Sequence, residues 1–122
     1  MRAALLIVTL VAAAAGPARA AGPVPGRYDA LLCVGTRADA ALTCGAADVE
    51  LRTGGVLSVR VADIVYVLAQ GPRELVVATL HGPMTVDEFR APFEWSGGTL
   101  RFSDTAKAVR YEVRLGARSQ AR

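Results

Sequence analysis

Two apolar segments joined by a short turn constrain this chain more than any other feature of its sequence. Residues 64–69 and 75–80 are rich in Val, Leu, Ile and Tyr, and Gln-Gly-Pro-Arg at 70–73 lies between them. β-Branched and aromatic side chains suit a pleated strand, whereas Gly and Pro are typical of turns. The pattern therefore predicts a β-hairpin.

Neither arm of this hairpin alternates between apolar and polar residues. In the first arm Tyr66 points to one side while Val65 and Val67 point to the other, so both faces are apolar. A strand that is apolar on both faces is normally covered by other groups on both of them. The second face is covered either by another segment of the chain or by a ligand, a protein partner or a second copy. If a protein partner or a second copy covers it, we predict an interaction surface that includes Val65, Val67 and Val77.

The remaining sequence predicts about eight short strands, tight turns and no long helix. Glycine pairs at 54–55 and 97–98 mark two of the turns, because glycine tolerates the positive φ that hairpin turns require. The other predicted strands lie at 27–34, 48–52, 56–61, 84–95, 99–103 and 109–115. This spacing favours an all-β domain, built as a small antiparallel β-sandwich or as an up-and-down barrel.

Residues 84–95 fit two interpretations. Their period-2 pattern changes phase at 87–88, which predicts a β-bulge. The alternative is a capping box, Thr-x-x-Glu at 85–88, that opens one helical turn. In the bulged strand Phe89, Phe93 and Trp95 share one face and belong to the core. Of the three, Trp95 is the best candidate to face a ligand or partner, because it precedes a glycine turn.

The N-terminus has the pattern of a secretory signal peptide. A positive start, an apolar run at 3–15 and small residues at 18–20 predict cleavage after Ala20. The apolar run is shorter than the ~17–25 residues of a membrane span. The predicted order is signal peptide 1–20, Pro/Gly leader 21–26, β-domain 27–116 and flexible tail 117–122, exported to the periplasm or the cell exterior.

Removal of the signal peptide leaves almost no net charge. The full chain has 14 Lys and Arg against 11 Asp and Glu, and Arg2 and Arg19 leave with the signal, so 12 remain against 11, a net of +1. No basic cluster resembles a nucleic-acid footprint. We therefore expect no nucleic-acid partner.

The two cysteines, Cys33 and Cys44, both belong to the exported part. An isolated pair in an oxidising compartment usually forms a disulfide. Their spacing is not that of a redox motif. A metal site would need two more soft ligands, and the chain has one histidine. The sequence predicts a structural disulfide, without a metal or cofactor.

The sequence contains no convincing catalytic set. His81, with Asp87 and Glu88 after it, is the one candidate for acid–base or metal chemistry, but a His before Gly-Pro at a strand end is typical of a surface turn. The serines of the domain would all have to share that histidine as their base. We therefore expect a non-enzymatic protein that binds a protein partner or forms a homodimer. The alternative is a small carrier of an apolar ligand.

In layout the chain resembles small periplasmic inhibitors such as the c-type lysozyme inhibitors. The shared features are a signal peptide, one cysteine pair and β-strands throughout, and Phe-Glu-Trp-Ser-Gly at 93–97 is similar to an aromatic and glycine turn of that family. However, Cys44 lies far from the chain end, where the family has its partner cysteine. The resemblance therefore implies an inhibitor-like layout and no site residues.

Overall fold

The computed structural model describes residues 23–36 and 41–119, which form eight antiparallel strands. All eight strands follow segments that the sequence predicted, and most are longer by a few residues. The strands are β1 (Gly26–Thr36), β2 (Thr43–Arg52), β3 (Val56–Val61), β4 (Ile64–Gln70), β5 (Glu74–His81), β6 (Met84–Ser96), β7 (Thr99–Asp104) and β8 (Val109–Arg118).

The strands close into an up-and-down barrel. Each strand pairs with the next one along the chain, and β8 pairs back with β1. Cys33 of β1, for example, lies opposite Cys44 of β2 and opposite Glu112 of β8. Of the two architectures that the sequence predicted, the barrel is therefore the one formed. Closure pairs every strand on both sides and leaves no free edge for other chains.

Alternate residues of every strand fill the interior of the barrel. An eight-stranded barrel is just wide enough for its own side chains to fill it or to hold one small ligand. Here one continuous apolar core occupies the interior. Its side chains without any exposed surface are Leu57, Val59, Leu68, Leu75, Val77, Ala91 and Leu100.

The sixth strand contains the bulge that the phase change predicted. Thr79 pairs with Asp87, but the next residue, Leu80, pairs with Thr85, so Val86 is the extra residue. The helical alternative for this segment is wrong, because β6 runs unbroken from Met84 to Ser96. Beyond the bulge, Phe89, Phe93 and Trp95 all pack against the core.

The predicted disulfide is confirmed. Cys33 and Cys44 are bonded to each other, and they are direct partners in the ladder between β1 and β2. Cys33 is 0 % exposed, whereas Cys44 is open to solvent. The bond therefore links two strands that the hairpin already holds side by side.

The C-terminal boundary differs from the prediction. The flexible tail was predicted to begin at residue 117, but β8 continues to Arg118. The next residue, Ser119, donates its backbone N–H to the Arg27 carbonyl at 2.7 Å. This hydrogen bond continues the pairing with β1 one residue beyond the end of β8.

Some of the sequence predictions concern residues outside the described part of the chain. The signal peptide, its cleavage site and residues 120–122 belong to this group. Within residues 23–36 and 41–119 no helix is long and apolar enough to span a membrane.

Candidate functional site

The outer side of β3, β4 and β5 carries a continuous apolar surface, here called the aliphatic face. The ladder places Val67 beside Ala78 of β5 and beside Ser58 of β3, and it places Val65 beside Leu80. All of its residues are partly exposed. The aliphatic face consists of Val56, Val65, Val67, Ala69, Val76, Ala78 and Leu80.

The two faces of the hairpin therefore lie in different environments. Leu68 and Val77, which are ladder partners, point into the core and are both 0 % exposed. Val65 and Val67 have the opposite parity and lie on the outside. The prediction that Val77 belongs to an interaction surface is thus corrected, because Val77 lies on the inner face.

No segment within residues 23–36 and 41–119 packs over the aliphatic face. All eight strands lie in the barrel wall, and β4 pairs in the ladder with β3 on one side and β5 on the other. A monomer rarely leaves a continuous apolar patch of a few hundred Å² without a use for it. The sequence did not identify Val76, Ala78 and Leu80, because their place on this face follows from the register between β4 and β5.

Charged residues border the aliphatic face on both sides. On the β3 side, Arg60 lies beside Val65 and opposite Asp48 of β2. On the β6 side, Glu88 lies beside Ala78 and Arg90 lies beside Val76. The face is therefore an apolar centre with a polar rim that carries both signs of charge, the usual anatomy of a protein interface.

Trp95 lies at one end of the barrel and not on the aliphatic face. Its indole Nε1–H donates to the Gln70 side-chain oxygen at 2.9 Å, and the Gln70 amide nitrogen donates to the Gly55 carbonyl at 3.0 Å. The four residues predicted for the interaction surface thus fall in three places. Val65 and Val67 lie on the aliphatic face, Val77 lies in the core, and Trp95 lies at the barrel end.

The opposite end of the barrel holds a cluster of aromatic rings. Tyr111 stacks on Phe102 with ring centres 4.9 Å apart and on Phe89 at 6.0 Å, while Tyr66 meets Tyr111 edge-on at 6.2 Å. Burial disfavours the phenolate form, and together with the neighbouring Tyr66 it raises the pKa of Tyr111 to about 12. Tyr111 therefore stays protonated at physiological pH and serves here as a packing residue.

An ion pair lies beside this aromatic cluster. The Lys107 ammonium donates to the Asp87 carboxylate at 2.8 Å, and the Lys107 backbone N–H donates to Asp104 at 3.3 Å. Asp104 is only 3 % exposed and is the last residue of β7. The hydrogen bond from Lys107 lowers the pKa of Asp87, because it favours the charged carboxylate.

The structure does not bring His81, Asp87 and Glu88 together. His81 bonds through Nε2 to Asp63 Oδ2 at 3.0 Å, and Asp87 bonds to Lys107. Glu88 points outward beside the aliphatic face. In the part of the chain that is described, no three His, Cys, Asp or Glu side chains are grouped to bind a metal ion.

Replacing Lys107 tests the ion pair directly. In Lys107→Ala, Asp87 loses its cationic partner, so its pKa is expected to rise towards the ordinary carboxyl value of about 4. Because the pKa of Asp87 is lower in the folded protein than in the unfolded chain, the ion pair stabilises the folded state. This stabilisation is complete at a pH above the ordinary carboxyl pKa, and it is lost as the pH falls through the pKa of the folded protein. An NMR titration of the Asp87 carboxyl carbon measures the pKa, and an unchanged midpoint in the variant would contradict the pairing.

Fold and surface together define a class: a disulfide-linked, closed barrel of eight strands with a packed interior and an aliphatic face that no described segment covers. Comparison with protein-family models, curated proteins and solved structures gave no match to this chain. Its function must therefore be inferred from the features of the surface.

Proposed function

We propose that this protein is a non-enzymatic, exported binding protein that pairs with a second copy of itself through the aliphatic face. The observation that carries the proposal is the partly exposed row of Val65 and Val67 next to Ala78 and Leu80, over which no part of residues 23–36 and 41–119 packs. The disulfide is compatible with export to the periplasm or the cell exterior.

The composition of the aliphatic face favours a second copy over an unrelated partner. Interfaces between different proteins are typically anchored by Trp, Tyr or Arg side chains, whereas homodimer interfaces are more apolar and resemble a divided core. The aliphatic face contains only Val, Ala and Leu. Small side chains of this kind let two sheets pack face to face at about 10 Å.

The dimensions of the aliphatic face make it the centre of an interface rather than the whole of it. Val65 to Ala69 spans about 14 Å along β4, and three strands span about 10–15 Å across. A stable interface buries about 800 Å² on each partner, so the rim must be included. That rim supplies Arg60 on one side and Glu88 on the other, which are suited to pair across the interface.

The test introduces a charge at the centre of the aliphatic face. In a chain that lacks residues 1–20, Val67→Asp is expected to raise the dimer dissociation constant on the order of 100-fold, because the interface would bury a carboxylate without a partner. Light scattering coupled to size exclusion, over a range of concentrations, measures the mass.

Leu31→Asp is the matched control for this substitution. Leu31 is 42 % exposed and lies on β1, away from the aliphatic face, so this variant is expected to dimerise normally. If the unaltered chain is a monomer at every concentration, or if both variants behave alike, pairing through the aliphatic face is wrong.

The carrier function has less support from the geometry. A ligand inside the barrel would have to displace side chains such as Leu57, Leu68 and Leu100, which fill the interior. Displacing a packed core costs several kcal/mol for each large side chain. We therefore rank an internal apolar ligand below the dimer.

A further inference from the structure

Residues 23–25, which belong to the predicted leader, lie at the end of the barrel at which Trp95 lies. Pro23 and Pro25 line one wall of a depression of about 370 Å³. The opposite walls are formed by the turn between β2 and β3 and by side chains at the ends of three strands. They consist of Leu51, Arg52, Thr53, Gly54, Gly55, Gln70 and Trp95.

Two side chains of the barrel hold the backbone of the leader. The Tyr28 hydroxyl donates to the Val24 carbonyl, and the Arg118 guanidinium donates through Nη2 to the Pro25 carbonyl at 3.3 Å. A segment with two prolines cannot join a β-ladder fully, because proline lacks the N–H donor. Its carbonyl groups remain free, and these are the groups that Tyr28 and Arg118 bind.

Trp95 is held rigidly at this end of the barrel. Its indole N–H donates to Gln70, and Gln70 bonds to the Gly55 carbonyl through both its side-chain amide and its backbone N–H, at 3.0 and 3.1 Å. Gly55 has a φ of +88°, which disfavours any other residue, and an added Cβ would lie 3.3 Å from the Gln70 amide nitrogen. The indole orientation is therefore set by the barrel and not by the leader.

These contacts have the chemistry of polyproline recognition. Domains that bind proline-rich segments use aromatic side chains against the proline rings and hydrogen-bond donors to the peptide carbonyls. Here Trp95 shares a depression with two prolines, and Tyr28 supplies a hydroxyl to the carbonyl between them. We propose that this barrel end is a binding site for extended, proline-containing peptides and that residues 23–25 are its resident ligand.

The leader competes with any external peptide because it is joined to the barrel. It directly precedes β1, so its effective concentration at the site is in the millimolar range. An external proline peptide therefore binds weakly until the leader is displaced. This site is independent of the aliphatic face, since none of its residues contributes to that face.

The experiment weakens the binding of the leader to the barrel end and leaves the barrel itself intact. The variant Pro23→Gly/Pro25→Gly keeps the length of the chain but removes the preformed extended conformation. Trp95 is the only tryptophan of the chain, so its fluorescence reports on this site alone. In a chain without residues 1–20, the emission is expected to shift to longer wavelength in the double variant, because the leader no longer shields the indole.

A synthetic peptide with the sequence of residues 21–26 then serves as the probe. It is expected to reverse the shift in a saturable manner and to bind the double variant at least about tenfold more tightly than the unaltered chain. A peptide in which alanine replaces both prolines is expected to have no effect. Tyr28→Phe keeps the aromatic ring but removes the hydroxyl that donates to the leader. Introduced into the double variant, it is expected to weaken the binding of the peptide.

Pro83→Gly is the matched control, because Pro83 follows β5 at the opposite end of the barrel and should not change the emission. Circular dichroism confirms that each variant keeps its strands. An unchanged Trp95 emission in the double variant would overturn the proposal. Equal binding of the proline and alanine peptides would overturn it as well.

Discussion

Val77→Asp is expected to abolish folding, whereas Val65→Asp is expected to leave a folded barrel. Val77 is 0 % exposed within the core, so a carboxylate there would lose its hydration without gaining a partner. Burying the carboxylate in its charged form, or protonating it so that it is neutral in the core, costs several kcal/mol. That cost is comparable to the total stability of a small domain, about 5–15 kcal/mol. Val65 lies on the aliphatic face, where water still reaches the new side chain.

Circular dichroism and urea denaturation of both variants measure this contrast. Val77→Ala provides a graded control, because it creates a small cavity without a charge and should cost about 2 kcal/mol. A cooperative unfolding transition for Val77→Asp, equal to that of Val65→Asp, would show that the inner and outer faces of the hairpin have been assigned wrongly.

Removing the disulfide is expected to have the second-largest effect. Cys33 and Cys44 are 11 positions apart, and in Cys33→Ala/Cys44→Ala no bond closes this loop in the unfolded chain. The unfolded chain gains conformational freedom, so in the chain-entropy account the free energy of unfolding falls by about 3 kcal/mol. Alanine is preferred to serine because Cys33 is fully buried and a hydroxyl there would need a partner. For a domain of this size the expected fall in Tm is about 12–24 °C.

Thermal unfolding with and without a reductant checks this effect. The reduced unaltered chain and the double variant are expected to unfold at similar temperatures, and the reductant should leave the double variant unchanged. The two cysteines are already opposite each other in the β1–β2 ladder, so the folded barrel should keep its strands in both cases. An unaltered Tm would mean that the disulfide contributes nothing to the stability of this barrel.

Local patterns in the sequence predicted most strands and turns of the barrel. The alternation in 109–115 located β8, and the glycine pairs located two hairpin turns. The phase change at 87–88 predicted the bulge in β6. These predictions succeed because side-chain alternation and turn chemistry depend on residues that are close in the chain.

The candidate surface was harder to predict, because both faces of the hairpin are apolar. Val67 and Val77 were grouped together from their composition, but Val77 is the ladder partner of Leu68 and shares its inward direction. Register decides which residues share a face, and a shift of one residue would reverse every assignment. Where both parities are apolar, the hydrophobic pattern alone does not identify the inner one.

The sequence by itself determined the β-class, the turns, the cysteine pair and the presence of a hairpin that is apolar on both sides. Only the tertiary structure decided that β8 pairs with β1 and that Val65 and Val67 therefore lie outside a packed barrel. It also placed the leader beside Trp95. Barrel closure pairs residues that are 73 positions apart at Thr36 and Val109 and 90 apart at Tyr28 and Arg118. The hydrogen bond from Arg118 to Pro25 joins residues 93 positions apart. Contacts of that range depend on the twist and register of all eight strands together, and no local pattern specifies them.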